Sequence, residues 1–292
     1  MNILTFDTEE WALAKAGGYG SVEKYAEYDA FLNRILDVLD KRSFQATFFC
    51  TGLMASDFPQ VVKLIQSRGH EIGCHSYHHT WMNKMTQAEA REDTHAAVDA
   101  LEQCIGEKVK SYRAPAFSVG NSNKWMFEIL AENGIKCDAS IFPAARDFGG
   151  FANFGQKKPC TIEYKGIRIK EFPICMTRVL GKEVAYSGGG FFRFFPLWFV
   201  NNRIISSEYS MCYFHLGDLI PETYGFPSKA FYEAYYKEPG TLKNRFMRHL
   251  KSNLGKKGAF AKMLSLVQRT DFISLNQAEK TIDWEKAGMV TL

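Results

Sequence analysis

The chain has 292 residues, of which 46% are hydrophobic and 23% charged. That composition excludes a disordered or fibrous protein and allows one large core. A formal net charge of +4 is too small to argue for a nucleic-acid partner, and none is expected.

No stretch approaches the roughly 18 uninterrupted apolar residues that a membrane span needs. The run Met1-Asn2-Ile3-Leu4-Thr5-Phe6-Asp7 lacks a basic start followed by a long apolar segment, so no signal peptide is read. Seven cysteines are scattered without CxxC pairs, which reads as reduced thiols and a cytoplasmic protein.

In chain order, Asn2–Phe6 reads as a strand, and Ser21 caps a helix running to about Lys41 with Tyr25, Phe31, Ile35 and Leu39 on one face. Ala46–Cys50 and Glu71–Cys74 are strands, with a helix over Phe58–Ser67 between them. A helix over Gln87–Ile105, a short extended stretch at Val109–Tyr112, a helix over Asn123–Glu132 and a strand at Lys136–Ile141 follow. Residues 161–175 read as a pair of strands, Pro196–Ser206 as a helix and Tyr209–Phe214 as a strand. This alternation predicts an α/β fold with a mostly parallel sheet or barrel through residue 220. Residues 221–292 read as a helical extension packed on it within the same single domain. There Glu222–Gly240 is expected to be an aromatic loop, and Lys243–Arg269 a basic helix broken near Gly255 and Gly258.

Reactive side chains stand at the C-terminal ends of these strands, the rim that carries catalysis in α/β barrels: Asp7, His75, Arg113 and His215. Asp7-Thr8-Glu9-Glu10 places three acids in four residues. If buried they repel one another, and a divalent cation relieves that repulsion; a solvated acidic turn is the plain alternative. In His75-Ser76-Tyr77-His78-His79, His75 and His79 are spaced i, i+4, so on a helical turn both rings reach one ion, with His78 as a rival or a surface group. Two histidines and a carboxylate suit zinc, and also iron, cobalt or nickel. Arg113 can hold a buried carboxylate, and Pro115 stiffens the loop that presents the Ala116 N–H. His215, flanked by apolar residues, is a candidate general acid, against a plain core histidine. Ser187-Gly188-Gly189-Gly190 lets backbone approach a ligand closely at Gly189, or is simply a flexible loop. Phe191, Phe192, Phe194 and Phe195 could stack on a ligand, though core packing is the commoner use. The basic tail, with Leu242, Phe246, Leu250 and Leu254, reads first as a solvated helix face. A weak association with an anionic membrane surface is the second reading.

Together these motifs resemble the polysaccharide deacetylase family, also called NodB-homology or carbohydrate esterase family 4. Thr5-Phe6-Asp7, His75-Ser76-x-x-His79, Arg113-Ala114-Pro115 and Phe214-His215 stand in that family's order. Arg113-Ala114-Pro115-Ala116-Phe117-Ser118, Asp138-Ala139-Ser140-Ile141-Phe142-Pro143, Glu171-Phe172-Pro173 and Gly188-Gly189-Gly190-Phe191-Phe192-Arg193 look like its exopolysaccharide-locus branch. The resemblance implies an irregular β/α barrel and metal-dependent removal of N-acetyl groups from amino sugars of a polysaccharide or its carrier-linked precursor. It implies Asp7 as base, Arg113 as its partner, His215 as acid, and oxyanion contacts from Ala116. The metal ligands would be His75, His79 and a carboxylate of the first motif: Glu9, which is preferred, or Glu10, unless Asp7 itself reaches the metal. Many members have a second Asp directly after the first; Thr8 stands there here. The acid that orients His215 is left among Asp218, Glu171 and Asp138. Two other readings stay open: a metal amidohydrolase acting on a small cyclic amide or ureide, and a non-catalytic carbohydrate-binding relative.

Overall fold

The computed structural model describes residues 1–145, 149–221, 225–236 and 238–292. Its first half alternates strand and helix: β1 (Asn2–Thr8), α1 (Glu10–Ala16), α2 (Val22–Lys41), β2 (Thr47–Cys50), α3 (Gly52–Asp57), α4 (Pro59–Ser67), β3 (Glu71–Cys74), α5 (Gln87–Ile105), β4 (Ser111–Tyr112), α6 (Met126–Glu132) and β5 (Cys137–Asp138). Two hairpins follow, β6 (Cys160–Tyr164) with β7 (Ile167–Glu171), and β8 (Met176–Val179) with β9 (Lys182–Ala185). Then come α7 (Gly189–Phe194), α8 (Leu197–Ser206), β10 (Ser210–His215), α9 (Leu216–Leu219), α10 (Lys229–Tyr236), α11 (Leu242–Asn253), α12 (Lys256–Arg269), α13 (Leu275–Thr281) and β11 (Gly288–Thr291).

Nine strands form one sheet in the order β10-β1-β2-β3-β4-β5-β7-β6-β11. From β10 to β7 every pairing is parallel; β6 is antiparallel to β7, and β11 is parallel to β6. Parallel strands covered on both faces need continuous apolar runs, and β1 and β2 are buried from Ile3 to Thr8 and from Thr47 to Cys50. The sheet curls into an irregular α/β barrel. Among the described residues no strand ladder joins β7 to β10. Side chains and irregular backbone span that gap instead: the Tyr209 hydroxyl donates to Pro173 O (2.8 Å), Met211 N–H to Cys175 Sγ (3.0 Å) and Ser187 Oγ to Met211 O (2.7 Å). At Gly188 an added Cβ would sit 2.2 Å from the Tyr213 carbonyl, so only glycine allows this approach.

Local signals explain the long helices. Thr86 and Glu89 form a capping box at the start of α5, which ends at Gly106 with φ 72°. Ser21 accepts from Lys24 N–H to start α2. The sequence reading missed the short elements α1, α3, α7, α9, α10 and α13, the β8–β9 hairpin and β11. Within the expected loop Glu222–Gly240, residues 229–236 are helical, while 222–224 and 237 lie outside the described residues. Only one of the two expected helix breaks occurs. Gly255 is left-handed (φ 74°), whereas Gly258 lies inside α12. The C-terminal segment also reaches the sheet: Leu4 N–H donates to Ile273 O, Ile273 N–H to Asn2 O, and Leu275 N–H to Thr47 Oγ1.

His70, just before β3, is 4% exposed; its Nδ1 accepts from Ala46 N–H and its ring lies 5.2 Å from Phe48. Burial, the largest influence, pulls its pKa down to about 4. The folded state therefore binds this proton less tightly than the unfolded chain. Stability from this residue is complete above about pH 6.5 and is lost as pH falls toward 4, by at most ~3 kcal/mol for a gap of about 2.5 pH units. Urea denaturation across that range should show the decline, and His70→Gln should flatten it. Equal pH slopes in the two proteins would contradict this assignment.

Candidate active site

Alternation along a strand places every second side chain on one face. On β1 this puts Thr5 and Asp7 inward, and the same alternation continues to Glu9 just past the strand end. Arg113, directly after β4, crosses the barrel interior to meet them. Its Nη1 donates to Asp7 Oδ1 at 2.7 Å and to Thr5 Oγ1 at 2.8 Å, and its Nε to Ala139 O at 3.3 Å. The guanidinium lies 4.3 Å from the Phe49 ring centroid. Arg113 is fully buried and Asp7 is 2% exposed.

His75 and His79 do come together, but not on a helical turn. Residues 75–80 form a loop in which Ser76 (φ 60°) and His79 (φ 59°) are left-handed. Asp93 of α5 holds the loop by accepting from Tyr77 N–H (2.8 Å) and His78 N–H (3.2 Å). The His78 side chain is left exposed against Tyr77. The i, i+4 spacing was therefore a correct clue to convergence for the wrong geometric reason.

Glu9 meets both rings: its Oε2 lies 3.3 Å from His75 Nε2 and 2.7 Å from His79 Nε2. One ligand atom from each of these three residues lies within 4.8 Å of the others. The His75 Nδ1 sits 2.7 Å from the Arg113 carbonyl, which can only accept. The ring proton is thus on Nδ1, and Nε2 turns a lone pair toward the Glu9 carboxylate. Glu9 Oε2 and His75 Nε2 are both buried with no well-formed hydrogen bond. Lone pairs facing one another in a dry pocket are costly unless a cation lies between them, so the three residues fit a divalent metal ion.

Glu10 is turned elsewhere. Its Oε1 accepts from Gly217 N–H at 2.6 Å and its Oε2 from Glu9 N–H at 3.2 Å. Burial, followed by the neighbouring Glu9 charge, raises its pKa to about 7. Burial also pushes Glu9 upward, but His79, His75 and His215 outweigh it and hold Glu9 well below the carboxylate range.

His215 ends β10, with its Nε2 3.6 Å from Asp7 Oδ2 and 3.9 Å from Glu9 Oε1. Its Nδ1 is 2.9 Å from Asp218 Oδ2, and Asp218 Oδ1 lies 3.2 Å from Arg193 Nε. Burial opposes charge on the imidazole, yet Asp218, Glu9 and Asp7 together raise its pKa well above the usual value. Of the three acids left open by sequence, Asp218 is the one beside His215. Asp138 and Glu171 lie under the Arg113 loop. Ser140 Oγ donates to Asp138 Oδ1 and accepts from Ala114 N–H (2.8 Å), and Ile141 N–H donates to Glu171 Oε1 (3.1 Å). Ala116 is half-buried with a left-handed backbone (φ 54°). The nearest neighbours of Gly189 belong to the Tyr213 ring. Sequence reasoning missed Thr5, Asp93, Ser140 and Arg193, whose partners are 108 or more residues away for Thr5, two to 26 for Ser140, and otherwise 15 to 59. The acid at i+3 from His215 was the one legible hint.

The polysaccharide deacetylase family model matches residues 3–137. A polysaccharide deacetylase domain is thus matched over somewhat less than half of the chain. A second model, a domain of unknown function (DUF3473), matches residues 139–280. The deacetylase domain thus supplies Asp7, Glu9, His75, His79 and Arg113, and the second region supplies Arg193, His215 and Asp218. A peptidoglycan-N-acetylglucosamine deacetylase of Bacillus cereus is 33% identical over 126 residues, 41% of this chain and 46% of that protein. The peptidoglycan-N-acetylmuramic acid deacetylase PdaA of Bacillus subtilis is 30% identical over 87 residues, covering 30% and 33% respectively. The chain therefore aligns with less than half the length of these relatives. A solved structure from Mycobacterium smegmatis assigned to the polysaccharide deacetylases superposes with a TM-score of 0.65 at 18% identity, over 100% of this chain and 92% of the other, a likeness of fold.

Removing Arg113 would strand the Asp7 charge in the barrel. Arg113→Met is expected to destabilise by about 3–5 kcal/mol. Arg113→Met with Asp7→Asn should cost clearly less than the sum of the two single changes. Urea denaturation of the three variants measures this, and strict additivity would show that the pair is not coupled.

Proposed function

We propose that this protein is a metal-dependent N-deacetylase of amino sugars, acting on a polysaccharide or its carrier-linked precursor. The observation that carries the reading is the buried, mutually facing Glu9 Oε2 and His75 Nε2, with His79 completing the set beside the Asp7–Arg113 pair. The match of residues 3–137 to the polysaccharide deacetylase model and the deacetylase relatives support the reaction class. Glu9, His75 and His79 would hold the ion, for which zinc suits two imidazoles and one carboxylate, with cobalt, nickel or iron as substitutes. A divalent ion there supplies a Lewis acid for the acetamide carbonyl and for water.

The remaining chemistry belongs to the chain's own side chains. Asp7, fixed by Arg113, accepts a proton from the water that attacks the carbonyl carbon. His215, held charged by Asp218, gives a proton to the sugar nitrogen as the C–N bond breaks. Water is consumed, and acetate and an amino sugar leave. The Ala116 loop, fixed through Ala114 and Ser140, lies directly after Arg113, where a backbone donor would meet the developing oxyanion. The seven free cysteines, six of them buried, are in keeping with a reducing, cytoplasmic setting.

Acetate release from N-acetylated oligosaccharides and nucleotide sugars tests the reaction. Chelation, His75→Ala and His79→Ala are each expected to lower the rate by at least about 100-fold, with metal content falling alongside activity. Undiminished acetate release from either variant would end the proposal. Release only from cyclic amides or ureides would redirect it to another substrate class.

Asp218→Asn removes the anion that favours the charged imidazole. The activity that depends on protonated His215 is lost as pH rises through its pKa, so the alkaline limb of kcat should move to lower pH. A pH–rate profile reads this directly, and an unmoved limb would remove His215 from the acid role.

A further inference from the structure

Helix α11 is built inside out. Leu242, Phe246 and Leu250, with Leu254 just beyond, recur every fourth residue and are 69%, 55%, 46% and 47% exposed. No residue of α11 is buried. The face turned to the protein is the polar one: Arg245 donates to Pro227 O at 3.1 Å, Arg248 lies 4.2 Å over the Tyr236 ring, and His249 Nδ1 meets Gly225 O at 3.3 Å. A helix packed on a core ordinarily shows the reverse arrangement. The strip continues at the C-terminal end of α11. There Arg193 donates to the carbonyls of Lys251 and Ser252, and its neighbour Phe194 is 64% exposed.

Charge is partitioned with the strip. Residues 242–269 contain eight Lys and Arg and no Asp or Glu, whereas the other 264 residues carry 28 basic and 32 acidic side chains. The chain's net positive charge therefore resides in α11, α12 and their junction. Lys243, Lys251 and Lys257 are exposed there. A second copy seated on this face would set like charge against like. An anionic surface supplies the opposite sign.

We propose that α11, with its flanking lysines, is a docking face for an anionic phospholipid surface. The helix lies flat, with Leu242, Phe246 and Leu250 in the boundary between headgroups and acyl chains, and the lysine heads among the phosphates. This inference rests on the exposed face and its charge, and does not depend on the hydrolase chemistry. It does bring the two together in space. Arg193 joins the α11 carbonyls to Asp218, the partner of His215, so a single side chain separates the docked helix from the catalytic mouth.

Flotation of the full chain with vesicles of phosphatidylcholine alone, or mixed with phosphatidylglycerol, tests the proposal. The protein should bind the mixed vesicles at least about ten-fold more than the neutral ones, and less as salt rises. Phe246→Glu with Leu250→Glu, and separately the triple change Lys243→Gln, Lys251→Gln and Lys257→Gln, should each reduce binding about ten-fold or more. Circular dichroism and thermal midpoints should stay unchanged, because these side chains are exposed. Three results would each overturn the idea: no binding to the mixed vesicles, binding unaffected by both variants, or a wild-type dimer by light scattering that Phe246→Glu with Leu250→Glu converts to monomer.

Discussion

Arg113 and Asp7 meet inside the barrel with almost no water around them, and most of the site is arranged by that contact. Moving a guanidinium and a carboxylate out of water costs several kcal/mol per ion, so the pair is a poor source of stability in itself. Its value is positional. Arg113 leaves the end of β4 and reaches β1 across the interior, holding two strands that are not neighbours in the sheet. Its carbonyl fixes the His75 tautomer, and its Nε ties it to the strand-end segment after β5. One buried residue thus orients the Asp7 carboxylate, the His75 ring and the loop that follows.

The three acids after β1 illustrate how a crowded negative cluster is accommodated. Each has a different partner. Asp7 takes the guanidinium. Glu9 faces two imidazoles and a cation-sized gap. Glu10, turned toward α9, accepts the Gly217 N–H and carries a pKa near neutrality. Placed in one direction, three carboxylates would raise one another's pKa and lose the site its charge. The helix start at Glu10 turns the third carboxylate away, while Arg113 and the two imidazoles offset the pair that shares the inward face.

The His215 side of the site comes from the other half of the chain. β10 pairs with β1, so Asp7 and His215 are register partners across a parallel ladder although 208 residues apart. Asp218 then places its two oxygens on His215 and Arg193, and Arg193 reaches the α11–α12 junction. The region matched by the model of unknown function is in this sense part of the same side-chain cluster.

Much of this architecture is legible in the amino-acid order because its causes are local. Continuous apolar runs specify β1, β2 and β10. Ser21 and the Thr86–Glu89 box start α2 and α5, and polar residues at strand ends mark the rim. Short elements escaped detection because they have no period of their own. α10, β11 and the β8–β9 hairpin are specified by what they pack on. The sequence by itself determined the fold class and the placement of Asp7, His75, Arg113 and His215 at strand ends, since strand endings and residue types are properties of neighbours in the chain. Only the tertiary structure decided that Glu9 rather than Glu10 faces the imidazoles, that Asp218 rather than Asp138 or Glu171 holds His215, and that α11 turns its apolar side outward. Those choices depend on directions and distances between segments that meet only when the sheet curls.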